Sequence, residues 1–374
     1  MTCVAGPILD EPRTAHDIIA MLPDDVHSQT VVTGRIGAPV EEDGVRLTSY
    51  FRERQRVEGG GTPGEALIGL FSRRNVAVSI LLRGDHAAAS PDDPAVAAVA
   101  VDTRVNAGAL LGQVAELARP RLVTLERVRL LRGDIEPVRL DEDPGEATEL
   151  TAYFGRQDRV YQVPAFEAAC ELLYRRGLAC ASILPGAGGT IHGRRRRAHL
   201  LRHDADVPLM LVAVGPGSRI AAVLPELGAM FRHPLMTVKK VQQRKRDGEL
   251  IGRPRFAPAA DAQPGMTARL KLTVYTAEAV RPDGQFADRV IARELRAAGI
   301  SGASTVRGSW GFHADHAPHG DHFPHRGRHV PAMTTLIGTD EQVTAAVDVI
   351  GALTAGDCLV TAETVLAADY SRPG

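Results

Sequence analysis

The chain has 374 residues, more than one ordinary hydrophobic core accommodates, which indicates two or three domains. Hydrophobic residues make up 44% and charged residues 24%, the balance of a soluble globular protein. With 44 Lys and Arg against 45 Asp and Glu the net charge is −1, so no overall field attracts nucleic acid or anionic lipid.

The first part of the chain carries no targeting signal. Met1–Leu22 contains acidic residues and lacks a basic segment followed by an apolar one, so it is not a signal peptide. The apolar stretch Ala95–Val101 is far shorter than the roughly 18 residues needed to span a bilayer. These features predict a cytoplasmic protein that does not insert into a membrane. The scattered cysteines are typical of reduced, buried thiols: Cys3, Cys170, Cys180 and Cys358.

Three sequence landmarks recur in the same order three times. The first is a strand-like Leu-Thr-x-Tyr, the second is a strand-like run that ends on a glycine, and the third is a strand with Thr at its centre. They lie at Leu47, Gly84 and Leu122, at Leu150, Gly186 and Leu235, and at Leu272, Gly308 and Leu359. The spacing from first to second agrees to within one residue, which indicates an internal repeat.

The segments between the landmarks alternate between helical and strand patterns. Apolar residues at helical spacing, clearest from Phe166 to Leu173, follow each first strand, and Gly177 and Gly299 stand where helices end. The order is β-α-β-β-α-β, which predicts an α+β protein of three tandem ferredoxin-like units with antiparallel sheets. The predicted units are 44–132 (repeat 1), 146–249 (repeat 2) and 268–367 (repeat 3), after an N-terminal arm, 1–43.

A ferredoxin-like sheet carries both helices on one face, so its other face needs a cover. Three sheets packed around a pseudo-three-fold axis would cover one another, and we expect this pseudo-trimer. Separate units strung along the chain are the alternative.

The repeated unit resembles the DUF190 family, a branch of the PII-like superfamily. Repeat 3 carries the resemblance best, with Leu-Thr-x-Tyr, a helix ending before Gly299-Ile300, and Arg-Gly-Ser-Trp-Gly-Phe over 307–312. Repeat 2 keeps the glycines but has Pro185 in place of the arginine, and repeat 1 departs after Arg83-Gly84. The resemblance covers most of the chain.

The resemblance implies a trimeric scaffold whose small-molecule sites lie in clefts between units, beside the long loop between the second and third strands. Nucleotides or other anionic metabolites commonly fill such clefts in PII-like proteins. The loop then acts on a partner protein, such as a membrane transporter or channel. The resemblance therefore implies a signalling or sensor protein that binds a small anionic ligand.

The glycines after the second strand are candidates for an anion-binding turn, because free backbone N–H groups can form a nest. The alternative is that they only turn the chain. Arg194–Arg197 is the densest positive charge and suits phosphate or carboxylate, with a solvated loop face or an acidic protein partner as alternatives. Nucleic acid is not expected, since aromatic residues make up only 4%. The predicted ligand-binding residues are Arg83, Gly84, Gly186, Gly188, Gly189, Arg194, Arg195, Arg307, Gly308 and Gly311.

Repeat 3 contains a histidine at every third position of the corresponding loop. Neutral imidazoles in such a row can bind Zn²⁺, Ni²⁺ or Cu²⁺, which favours as an alternative a metal-binding protein like the CutA branch of the superfamily. A flexible polar loop and a pH sensor are the other interpretations. The candidate metal ligands are His313, His316, His319, His322 and His325.

Catalytic motifs are missing from the sequence. It contains neither a Ser-His-Asp order with a nucleophile elbow nor a Walker A motif, and no dinucleotide fingerprint follows a strand. Gly59–Thr62 precedes a helix but lacks the lysine of a phosphate loop. We therefore expect a protein that is not an enzyme, and a structural adaptor without any ligand remains the third hypothesis.

Overall fold

The computed structural model describes most of the chain from Val40 to Tyr370. The described residues are 40–84, 94–140, 143, 145–160, 162–197, 207–231, 233–246, 249–252, 265–277, 285–300, 302–313, 316–320, 330–354 and 358–370. The predicted arm, 1–43, lies outside them apart from its last residues.

The elements follow the predicted order in all three repeats. Repeat 1 and the residues just before it hold β1 (Val40–Arg52), α1 (Pro63–Arg73), β2 (Val78–Arg83), β3 (Ala95–Thr103), α2 (Arg104–Ala118) and β4 (Leu122–Arg132). Repeat 2 holds β5 (Glu146–Gly155), β6 (Arg159–Val160), β7 (Val163–Pro164), α3 (Ala165–Arg175), β8 (Cys180–Pro185), β9 (Gly188–Ile191), β10 (Arg194–Arg197), β11 (Pro208–Gly215), α4 (Gly217–Met230), β12 (Leu235–Arg246) and β13 (Glu249–Leu250). Repeat 3 holds β14 (Thr267–Ala277), α5 (Ala287–Ala297), β15 (Ser304–Arg307), β16 (Trp310–His313), β17 (His319–Gly320), β18 (Pro331–Gly338), α6 (Asp340–Leu353) and β19 (Cys358–Asp369).

Local sequence explains where several helices begin and end. Thr62 caps α1 through its hydroxyl, and Pro63 takes the first helical position, where its missing N–H costs nothing. Thr339 and Gln342 form a capping box at the start of α6. Gly177 and Gly299 have φ of 69° and 75° just after α3 and α5, the left-handed conformation expected where these helices end.

Seventeen of the described strands form one antiparallel sheet, with β6 and β7 in a separate pair. Together with the six helices of the described residues, this confirms an α+β protein, and the element order is compatible with ferredoxin-like units.

The three closing strands pair with one another in a cycle. The end of β4 pairs with the start of β12, the end of β12 pairs with β19, and the end of β19 pairs with the start of β4. Each closing strand therefore contacts both of the others.

The hydrophobic residues divide into four clusters. Three of them lie mainly between the helices and the sheet of one repeat each. The fourth draws residues from all three repeats, including Val78, Tyr153 and Tyr275. The strands of each repeat are therefore buried on both faces. The helices of the same repeat cover one face, and the other two repeats cover the other.

Two further features bear on the predictions. Ile135, Val138 and Leu140, in the segment between repeats 1 and 2, pack against the core of repeat 2. Among the helices of the described residues, none has the length and apolar character required to cross a membrane.

Candidate functional sites at the borders between the repeats

The segment after the second strand crosses from one repeat to another. In repeat 2 this segment forms β9, which pairs with β2 of repeat 1, with Ile191 opposite Val78 and Gly188 opposite Leu81. In repeat 3 it forms β16, which pairs with β8 of repeat 2. Two borders between repeats are thus closed by strand pairing.

The glycines that end the second strands lie at borders between repeats. Their N–H groups donate to the carbonyls of the first residues of the third strands, over 2.8 Å for Gly84, 3.0 Å for Gly186 and 2.7 Å for Gly308. A side chain at Gly84 would face the carbonyl of Thr305, and one at Gly308 would face the carbonyl of Ile183. Each glycine therefore packs against the second strand of a different repeat.

Gly189 and Gly311 lie at equivalent places within the crossing strands. A Cβ at Gly189 would overlap the carbonyl oxygen of Ser79, and one at Gly311 would overlap that of Ala181. A glycine in a strand commonly marks such a close approach of another backbone. The requirement for these two glycines thus follows from the crossing itself, and anion binding at Gly186, Gly188 and Gly189 stays a prediction.

Arg194 and Arg195 are exposed in β10, which pairs with β9 and lies along α1 of repeat 1. The hydroxyl of Ser72 donates to Gly193 over 3.0 Å, and a guanidinium N–H of Arg195 donates to the carbonyl of Glu65 over 3.4 Å. The hairpin therefore lies across the border between repeats 1 and 2, with exposed guanidinium groups on its outer strand.

His192 lies at the tip of the same hairpin. The backbone N–H of His192 donates to Ala77 over 2.9 Å, and its ring lies 5.9 Å from that of His233. Both side chains are exposed.

Aromatic residues fill the border between repeats 2 and 3. Trp310 in β16 meets Phe166 edge to face at 5.9 Å, and Phe312 meets Tyr174 in the same manner at 5.4 Å. These contacts use two residues of the motif that carries the family resemblance, although only its arginine and glycines are predicted to bind a ligand. Part of that motif therefore serves packing between repeats.

Arg307 and Arg83 both contact carboxylates within their own repeats. A guanidinium nitrogen of Arg307 lies 3.3 Å from the buried carboxylate of Asp288, and its guanidinium carbon lies 5.5 Å from the ring centroid of Phe286. Arg83 pairs with Glu53 and is about half exposed. A ligand at either arginine would share it with an existing partner.

The histidines of repeat 3 are divided among different environments. His313 belongs to β16 and is buried, opposite Cys180. His316 is exposed, and the half-buried His319 has its Nδ1 atom 2.7 Å from the carbonyl oxygen of Ala317. His322 and His325 lie outside the described residues. Within the described ranges no three metal-ligating side chains come together, and metal binding stays a prediction.

A buried network of charges, which the sequence analysis did not identify, lies where the three repeats meet. It alternates three cations with three carboxylates: Arg46, Lys239 and Lys271 with Glu126, Glu149 and Glu363. Glu126 has nitrogen partners in all three repeats, at 2.6 Å from Lys239, 2.9 Å from Lys271 and 3.3 Å from Arg46.

Hydroxyl groups add hydrogen bonds to the network. Arg46 donates to Thr151 over 2.7 Å and to Thr237 over 3.2 Å, and the hydroxyl of Tyr275 donates to Glu149 over 3.3 Å. Buried charges are tolerated when hydrogen bonds of this kind satisfy them. Alignment of the landmarks could have found the six charges, since a charged residue precedes each Leu-Thr-x-Tyr and ends each closing landmark.

The network shifts the pKa of Glu149, Glu126 and Lys271 toward their charged forms. Burial by itself raises the pKa of Glu149, but the attraction of Lys239 and Arg46 outweighs it and lowers that pKa from 4.5 to about 2. The same balance holds the pKa of Glu126 still lower. Burial opposes the charge on Lys271, yet the surrounding carboxylates raise its pKa well above the ordinary value. All three side chains are therefore charged at neutral pH.

Comparison with protein-family models gives two matches to the DUF190 family, described as an uncharacterized ACR, at residues 147–243 and 269–367. These ranges lie within repeats 2 and 3, and repeat 1 lies outside them. Searches of curated proteins and of solved structures returned no match.

Proposed function

The chain belongs to the DUF190 family, and we propose that it is a PII-like sensor protein whose three repeats close into a pseudo-trimer and bind a small anionic ligand between them. The cyclic pairing of β4, β12 and β19 supports the closed arrangement. So do the strands that cross from repeat 2 to repeat 1 and from repeat 3 to repeat 2.

One observation carries the proposal of an anion site, namely the β9–β10 hairpin lying across α1 of the neighbouring repeat. The hairpin presents exposed Arg194 and Arg195 at the border, where phosphate or carboxylate oxygens can approach either guanidinium group. Arg73, at the end of α1, is exposed near the hairpin tip that Ser72 holds. The proposed ligand is a nucleotide or another anionic metabolite.

In the proposed sensor, the long loops between the second and third strands transmit ligand binding to a partner protein. These loops follow the hairpins that cross the borders, β9–β10 and β16–β17, and residues 198–206 and 321–329 of them lie outside the described residues. Ligand bound beside a hairpin would change the contacts of the loop that it begins, and a partner protein that binds the loop would detect the change. A membrane transporter or channel is one such partner.

The experiment is a thermal-shift screen against nucleotides and other anionic metabolites, followed by calorimetry on each compound that raises the melting temperature. A ligand that binds only the folded state stabilises it by mass action. We expect the double substitution Arg194→Ala and Arg195→Ala to weaken binding and to reduce its dependence on salt, because charge–charge attraction is screened by ions.

The matched control is Arg293→Ala with Arg296→Ala, which removes the same charge from the exposed side of α5. This control should bind as the parent does. An anionic ligand that binds the double variant and the parent equally would place the site elsewhere, and the absence of any anionic ligand would favour the adaptor hypothesis.

Metal binding by repeat 3 is the second candidate, favoured by the exposed imidazole of His316 and the half-buried one of His319 on the β16–β17 hairpin. Because ligation needs neutral imidazole, zinc or nickel affinity should fall as the pH drops from about 7.5 to about 5.5. Calorimetry on the triple substitution of His316, His319 and His322 to Ala tests this. Unchanged metal affinity in that variant would remove the candidate.

A further inference from the structure

The three closing strands place equivalent residues around one point. Glu126, Lys239 and Glu363 each end the third landmark of their repeat, and each lies within the cycle formed by β4, β12 and β19. The ammonium of Lys239 lies 2.6 Å from a carboxylate oxygen of Glu126 and 2.5 Å from one of Glu363. One cation thus separates two carboxylates at the meeting point.

Each repeat contributes one cation and one carboxylate, directly opposite each other on its first and last strands. The pairs are Arg46 with Glu126, Lys271 with Glu363, and Glu149 with Lys239. Repeats 1 and 3 have the cation on the first strand and the carboxylate on the last. Repeat 2 has them reversed.

The reversal changes what the repeats present to one another. Without it, all three closing strands would bring a carboxylate to the meeting point. Three copies of repeat 2 would likewise bring three ammonium groups together. Buried like charges repel strongly, because little water is present to screen them.

We propose that the inner sheet face of repeat 2 is a recognition surface for repeats 1 and 3 and excludes copies of itself, with Lys239 as the residue that determines this specificity. The proposal rests on the closed arrangement of the proposed function. Its partner surfaces are the carboxylate-bearing closing strands β4 and β19. A closed arrangement of this kind thereby needs one repeat whose charges are reversed, and three repeats with the same charge order cannot form it.

The test compares three variants of the full-length chain by urea unfolding and melting temperature at pH 7.5. The first is Lys239→Glu. The second adds Glu149→Lys, which keeps the pair within repeat 2 and the net charge of the parent but brings three carboxylates to the meeting point. The third further adds Lys271→Glu and Glu363→Lys, which moves the reversed pair from repeat 2 to repeat 3.

We expect both the first and second variants to melt well below the parent, and the third to recover most of the loss, because its charge order is that of the parent rotated by one repeat. The second variant should also gain stability relative to the parent as the pH falls from 7.5 to about 5, since protonation of one carboxylate relieves the repulsion.

A second variant as stable as the parent would show that only the pair within the repeat matters, and a third variant no more stable than the second would show that charge order is irrelevant. Either result would overturn the proposal. Neither depends on a ligand, so anion binding through Arg194 and Arg195 is judged separately by calorimetry.

Discussion

Replacing Glu126 with Gln should destabilise the protein more than replacing any exposed carboxylate. Glu126 is almost wholly buried and has three cationic partners, at 2.6, 2.9 and 3.3 Å. The amide keeps the volume and some hydrogen bonds but leaves one uncompensated positive charge in the interior. Removing one partner of a buried ion pair costs about 3–5 kcal/mol, mainly because the other partner remains charged and desolvated.

The assay is urea unfolding followed by circular dichroism and by intrinsic fluorescence, with agreement between the two signals checked before a free energy is derived. The control is Glu41→Gln. Glu41 is partly exposed and pairs with Arg129 at the surface of the sheet, where ion pairs contribute about 0–1 kcal/mol.

A loss of unfolding free energy in Glu126→Gln no greater than in Glu41→Gln would refute the reasoning. It would mean that the three cations are hydrated or rearranged when the carboxylate is absent. The interior at the meeting point of the repeats would then be much less dry than the packing of its side chains indicates.

Three further predictions concern the described residues. The folded state lowers the pKa of Glu149 from 4.5 to about 2, so the stability that this carboxylate contributes should be complete above about pH 5 and should decline between about pH 4.5 and 2. Urea midpoints measured across that range test this, and midpoints that show no such decline would mean that the shift is absent. Gly189→Ala should cost about 1–3 kcal/mol of unfolding free energy, because the new methyl group would overlap the backbone of Ser79. Gly61 has open space around it, so Gly61→Ala should cost much less, and equal costs would contradict the strand crossing. Burial raises the pKa of the Cys180 thiol to about 12 and that of the Cys170 thiol further still, so neither should react with N-ethylmaleimide at pH 8 until urea unfolds the chain. Labelling is followed by mass spectrometry, and rapid labelling of either thiol in the folded protein would contradict their burial.

Much of the secondary structure could be predicted because local patterns encode it. The helix over Ala165–Arg175 follows from apolar residues at helical spacing, and Gly177 and Gly299 mark helix ends through a conformation that glycine adopts at little cost. The resemblance to DUF190 is confirmed, and it rested on the same local motifs.

The candidate sites were predicted less completely, because neighbours across a border are distant in sequence. The three-residue period of the histidines predicts a loop at His313, but this residue lies in β16 because residues 310–313 pair with β8 of the preceding repeat. No local pattern specifies that partner. Anion binding at the glycines after the second strand stays a prediction, and no local pattern indicates that Gly189 is also required by its close contact with Ser79.

The sequence by itself determined the order of the elements, the positions of the helix ends and the family, since each depends on residues a few positions apart. Only the tertiary structure decided which strands pair across the borders and which charges meet. Arg46 and Glu149 are far apart along the chain and 2.8 Å apart in space. Their proximity depends on burying the inner faces of the sheets, and burial is a property of the assembled molecule.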